Sequence, residues 1–118
     1  MTLHQELIQQ SREYLAKGDL SKALKYLLFV AKTFERTRAY RQLVVLYRSH
    51  EGLEVHLNAG TIDPDFAALQ KSRTSHKLQK LADEMEAELR LEKFEVKIKI
   101  TGGSVDKKVS DWVQSLFS

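Results

Sequence analysis

The sequence predicts a mostly α-helical fold: a four-helix antiparallel bundle of two αα-hairpins, followed by a C-terminal β-strand and a short amphipathic helix. Three observations predict it. Apolar residues recur at three- and four-residue spacing through the N-terminal three quarters of the chain. Glycine and aspartate punctuate that pattern at Gly18-Asp19 and again at Gly60 to Asp63. After Lys93 the period changes from helical to strict alternation. These features divide the chain into a helical unit, residues 1–91, and a strand–helix extension, residues 92–118.

The first helix is read from Thr2 to Ala16, with Thr2 as N-cap and Leu3, Leu7, Tyr14 and Leu15 near one stripe. It stops at Lys17-Gly18, where glycine suits a left-handed cap. Asp19 caps the second helix, Leu20 to Phe34. Its apolar positions Leu20, Ala23, Leu24, Leu27, Leu28 and Ala31 form the cleanest stripe in the sequence. So short a link makes the two helices antiparallel neighbours.

The third helix runs from Thr37 to Asn58, with Tyr40, Leu43, Val44, Leu46, Tyr47, Leu53 and Leu57 on its buried side. Gly52 inside it marks a bend or a close helix–helix contact, and Gly60 ends it. Asp63 is then an N-cap, Pro64 takes the first helical position, and Ile62 packs back as a staple. The fourth helix extends from Pro64 to about Leu91. Phe66, Leu69, Leu78, Leu81, Met85 and Leu89 make its apolar side, and its middle, Gln70 to Lys77, is polar. That turn faces water or a partner.

Phe94, Val96, Ile98 and Ile100 alternate with polar residues, which is the pattern of a half-buried strand. A lone strand leaves its backbone groups unpaired, so Val96, Ile98 and Ile100 are expected to meet a partner edge, including that of a second copy in a homodimer. Gly102-Gly103 breaks the strand. Ser104 caps a last helix that carries Val105, Val109, Trp112, Val113, Leu116 and Phe117.

Composition narrows the chemistry. The chain of 118 residues is one domain's worth, and 42% hydrophobic with 30% charged residues is globular composition. The absence of cysteine excludes disulfides, thiolate metal sites and cysteine nucleophiles. The net charge of +3 is a mild excess for a nucleic-acid binder, and there is no motif or aromatic platform to go with it. No stretch approaches the roughly 18 apolar residues of a membrane span. Met1 to Gln10 lacks the charged start and apolar run of a signal peptide, so the cytoplasm is the expected compartment.

No catalytic arrangement stands out, and no metal or cofactor is expected. His4, His50, His56 and His76 do not pair at helical metal-ligand spacing and read as surface or boundary residues. Asp83, Glu84, Glu86 and Glu88 read as a solvated acidic face. Gly102-Gly103-Ser104 lacks the further glycines and the Lys-Ser/Thr of a phosphate loop. Arg36, Arg38 and Arg41 cluster where the third helix begins, and cations there oppose the helix dipole. With Arg73 and His76 in the polar turn of the fourth helix, they are the expected contact surface for an acidic partner.

Three stretches also carry a family resemblance. Leu15-Ala16-Lys17-Gly18-Asp19-Leu20-Ser21-Lys22-Ala23-Leu24 is similar to an "L-x-x-G-D-x-x-K-A-L" hairpin. Tyr40 through Leu46, followed by Leu53 and Gly60-Thr61-Ile62, resembles a "Y-N-E-x-I-L-L" helix and its exit. Ala67, Leu69, Arg73, Leu78, Leu81, Asp83 and Glu84 fall in register with "E-A-x-L-E-R-N-R-I-x-x-A-L-L-x-L-L-D-E-L". Together they resemble the helical effector-associated domains of bacterial conflict systems, most closely the eleventh class, over about residues 1–90. The resemblance implies a non-catalytic adaptor that recruits an effector through a partner carrying a similar domain. The same hairpin also suits a general peptide-binding helical module of tetratricopeptide or trafficking type. The length of the fourth helix separates the two, because a three-helix trafficking module has no use for it.

Overall fold

The computed structural model describes residues 3–90 and 105–117. They form α1 (Leu3–Ala16), α2 (Leu20–Thr33), α3 (Thr37–Asn58), α4 (Pro64–Arg90) and α5 (Val105–Phe117). Among the described residues there are five helices and no strand. This corrects the expected fold class, which ended in a C-terminal β-strand; its mostly helical character holds. The residues assigned to that strand, Phe94–Thr101 with Val96, Ile98 and Ile100, lie outside the described residues. Among the described residues there is also no sheet edge against which such a strand could complete its hydrogen bonds.

Three helix ends close in one way. At the end of α1 the Asp19 N–H donates to the Tyr14 carbonyl at 2.9 Å, and Gly18 takes φ +79°. At the end of α3 the Thr61 N–H donates to the His56 carbonyl at 3.0 Å, with Gly60 at φ +71°. At the end of α2 the Arg36 N–H donates to the Ala31 carbonyl at 2.7 Å, and here the left-handed residue is Glu35, at φ +57°. The N-termini of α2 and α4 follow the expected caps. Asp19 Oδ1 accepts from the Lys22 N–H at 3.2 Å, and Asp63 Oδ1 accepts from the Asp65 N–H at 2.8 Å. Gly52 is not a close helix–helix contact, since a side chain there would meet nothing within 4 Å.

α2 is the axis of the bundle and packs against all four other helices. Leu20, Ala23, Leu24, Leu27, Leu28 and Ala31 are buried, as their stripe requires, and so are Tyr26 and Val30 outside that stripe. A helix buried on two sides must be apolar on two sides. Tyr26 meets Tyr14 of α1, with ring centroids 5.5 Å apart, and a further side receives α5: the Phe29 and Trp112 rings meet edge to face with centroids 5.2 Å apart, and Lys25 Nζ donates to Ser110 Oγ at 3.1 Å. Val109 and Val113 join the common core.

Ion pairs tie α4 to the rest. Arg12 of α1 donates through Nη2 to Asp83 Oδ1 at 2.7 Å and through Nη1 to Glu86 Oε2. Arg36, just before α3, reaches Glu88 Oε2 at 3.4 Å. Three carboxylates expected on a solvated face therefore clamp the bundle, with Glu84 left exposed between them. The histidine reading changes as well. His4 is buried with its ring edge-on to Phe34, centroids 5.4 Å apart, and His50 is buried with Nε2 3.2 Å from Ser21 Oγ.

Candidate interaction surface

α3 and α4 lie side by side, and only parts of them reach the core. On α3, Leu43 and His50 are the buried residues. On α4, Leu78, Leu81, Ala82, Met85 and Leu89 are buried in the C-terminal half, against Ala67 alone in the N-terminal half. Ala39, Tyr40, Val44, Leu46 and Tyr47 of α3 are partly buried against that core, and the outward side of the pair is exposed.

A groove of about 550 Å³ runs between the two helices on that surface. Its apolar lining is Val45, Leu46 and Leu81, and Val45 is 63% exposed. Arg38 and Arg41 line it from α3, and Lys77 and Lys80 line it from α4. All four are exposed, and among the described residues none of the four is ion-paired. Glu84 is the one carboxylate in the lining. Further along the same pair of helices, a second depression of about 470 Å³ is lined by Arg48, Gly52, Leu53, His56, Phe66 and Gln70, among others. Phe66, Leu69 and Val55 near that end are each at least half exposed.

The expected contact residues separate in space. Arg38 and Arg41 share the groove. Arg36 is held back: its Nε donates to the Phe34 carbonyl at 3.0 Å and its Nη1 faces Glu88, so it fastens the α2–α3 turn to the end of α4. Arg73 and His76 are exposed on α4 outside the groove lining. Val96, Ile98 and Ile100 lie outside the described residues. Sequence reasoning missed Lys77, Lys80 and Val45. The polar turn Gln70–Lys77 pointed to the first of these, but nothing in one helix reveals which of its neighbours faces Arg38 and Arg41.

Beside the α1–α2 turn, the Glu54 carboxylate receives Lys71 Nζ at 2.7 Å and lies 3.9 Å from His50 Nε2. The Lys71 hydrogen bond holds the Glu54 carboxyl below its usual range. Burial holds His50 below its ordinary value, and the nearby carboxylates of Glu54 and Glu51 oppose that only in part. A neutral imidazole joining α2 to α3, beside an ion pair joining α3 to α4, is a packing device for the helix layer. Among the described residues, no group of three or more histidine, cysteine or acidic side chains is placed to hold a metal, and no helix is long and apolar enough to cross a membrane.

The family model for effector-associated domain 11 matches residues 6–86. The chain belongs to the effector-associated domain 11 family. The match takes in most of α1, the whole of α2 and α3 and most of α4, and so includes every residue of the groove. The α5 helix of this effector-associated domain lies beyond the matched residues, yet it packs on the central α2. No curated protein and no solved structure gives a significant match.

Proposed function

We propose that this effector-associated domain is a non-catalytic adaptor of a bacterial defence or signalling system, acting in the cytoplasm. It recruits an effector by associating with a protein that carries a similar domain. The observation that carries the reading is the family match across α1 to α4, because an effector-associated domain is named for its place beside effectors. The 27-residue α4 supports it over a three-helix trafficking module, and the uncovered α3–α4 surface gives such a domain room to dock.

Co-purification with an effector that carries its own effector-associated domain tests the proposal. The intact chain should form a complex of defined stoichiometry by light scattering, and that complex should be lost when the partner's domain is deleted. Retention of the effector after that deletion overturns the reading.

A further inference from the structure

The groove between α3 and α4 combines two features that rarely serve only to keep a protein soluble. Its lining is apolar at Val45, Leu46 and Leu81, and it is flanked on both helices by cations: Arg38 and Arg41 on one, Lys77 and Lys80 on the other. Four positive charges against the single carboxylate of Glu84 leave a strong local excess. Two of the cations stand near the N-terminal end of α3, whose first turn holds no acidic residue and whose N-cap makes no side-chain hydrogen bond. Positive side chains beside the positive end of a helix dipole repel it; Glu88 is already paired with Arg36 there, and a further anion at Arg38 and Arg41 relieves what remains.

We propose that this groove receives an amphipathic helix of a partner protein, one that carries an apolar stripe flanked on both sides by glutamate or aspartate. Two helices side by side offer a third helix the usual seat for its side-chain ridges. Apolar anchors at i, i+3, i+4 and i+7 rest on Val45, Leu46 and Leu81. Carboxylates on one flank meet Lys77 and Lys80. Those on the other meet Arg38 and Arg41, whose guanidinium groups donate paired hydrogen bonds to a carboxylate.

The occupant is not a second copy of this chain. Among the described residues the apolar stripes of α1, α2, α5 and the C-terminal half of α4 are already in the core, and beside Val45 the exposed face of α3 carries Arg38 and Arg41, which the same groove in a second copy would repel. Nor is it a nucleic acid: the lining offers no aromatic ring for base stacking, and its centre is hydrocarbon. The inference goes beyond the adaptor reading and does not rest on it, because it concerns the chemistry of one groove.

The test uses the full chain and a fluorescent peptide of about four helical turns, with leucines at i, i+3, i+4 and i+7 and glutamates on both flanks. Three comparison probes are the same residues in scrambled order, a version with lysine for glutamate, and a single-stranded oligonucleotide of matched charge. The ordered acidic peptide should bind at least about tenfold more tightly than the scrambled or lysine peptide, a difference of about 1.4 kcal/mol. Lys77→Glu with Lys80→Glu, and separately Val45→Asp, should each cost about tenfold or more, whereas Lys107→Glu on α5 should leave binding unchanged. All these positions are exposed, and circular dichroism checks that the helices persist. Equal binding of the scrambled peptide, or tighter binding of the oligonucleotide with the same loss on charge reversal, overturns the proposal. So does absence of peptide binding, or self-association that the same reversals abolish.

Discussion

At the scale of single residues, Gly18 and Glu35 occupy the same conformation at equivalent helix ends, and only one of them is suited to it. A side chain in the left-handed region brings its Cβ against the carbonyl that follows, which costs roughly 1–2 kcal/mol. Gly18 has open space around it, so Gly18→Ala isolates that backbone cost and should lower stability by about 1–2 kcal/mol. Glu35→Gly should raise stability, by less than about 1 kcal/mol because glycine also loosens the unfolded chain. Urea midpoints at constant m-value measure both. The buried histidines give a second prediction. Burial holds His4 and His50 below their ordinary value of 6.5, the carboxylates of Glu86 and Glu54 opposing it respectively. The unfolded chain therefore takes up these protons before the folded one. The stability that depends on the neutral rings is complete above about pH 6.5 and is lost as the pH falls from there toward the folded values. Urea midpoints followed from about pH 8 to about pH 5 should decline, and His50→Gln should flatten the curve. A midpoint that stays constant across that range refutes the assignment. Neither histidine was legible as a buried residue, since a polar ring in an apolar stripe looks the same in sequence whether or not Ser21 or Phe34 waits across the interface.

At the scale of elements, the helices were largely legible and their surroundings were not. Glycine, aspartate and proline mark the ends of α1, the start of α2 and the start of α4 because their backbone preferences act locally. The end of α2 carried no such mark, since Glu35 does by constraint what glycine does by freedom. The stripe on α2 revealed one buried side, and Tyr26 and Val30 were passed over because a period of 3.6 selects one face at a time. Tyr26 meets Tyr14 of α1, and the side with Lys25 and Phe29 is covered by α5, a long way off in sequence. The alternation at Phe94–Thr101 predicts a strand on its period alone, and a period says nothing about whether an edge exists to pair with. Because Val113 is fully buried against the bundle, Val113→Ala should cost about 1.5 kcal/mol, from about 0.8 kcal/mol per buried methylene-sized group. Removal of α5 altogether should expose the side of α2 that carries Phe29. It should increase binding of a hydrophobic dye while the helices of α1 to α4 remain by circular dichroism. If α5 were a detachable tail, neither the Val113 variant nor the truncation would change the urea midpoint.

At the scale of the whole molecule, the candidate surface was half legible. Arg38 and Arg41 stood out in sequence because they oppose a helix dipole, but their partners in the groove, Lys77 and Lys80, are nearly forty positions away and become neighbours only when α3 folds back on α4. Arg36 shows the opposite failure: equally basic and equally close to the helix start, it spends its charge on Glu88 within the fold. The family match spans this surface, so the groove lies within the part of the chain that the family model covers, and α5, which closes the core on α2, lies beyond it. One consequence follows from the uneven seating of α4. Its 27 residues span about 40 Å at 1.5 Å per residue, and a single rod thus has its buried residues concentrated at one end, with Ala67 alone buried at the other. Amide hydrogens along it should record that gradient. Those of Leu78 to Leu89 should exchange only through global unfolding, and those of Phe66 to Gln70 through cheaper local opening, orders of magnitude sooner. The N-terminal stretch of α4, with Phe66 and Leu69 half exposed and Ala67 its single buried residue, is then the part of the rod that opens first while the C-terminal half keeps the bundle closed.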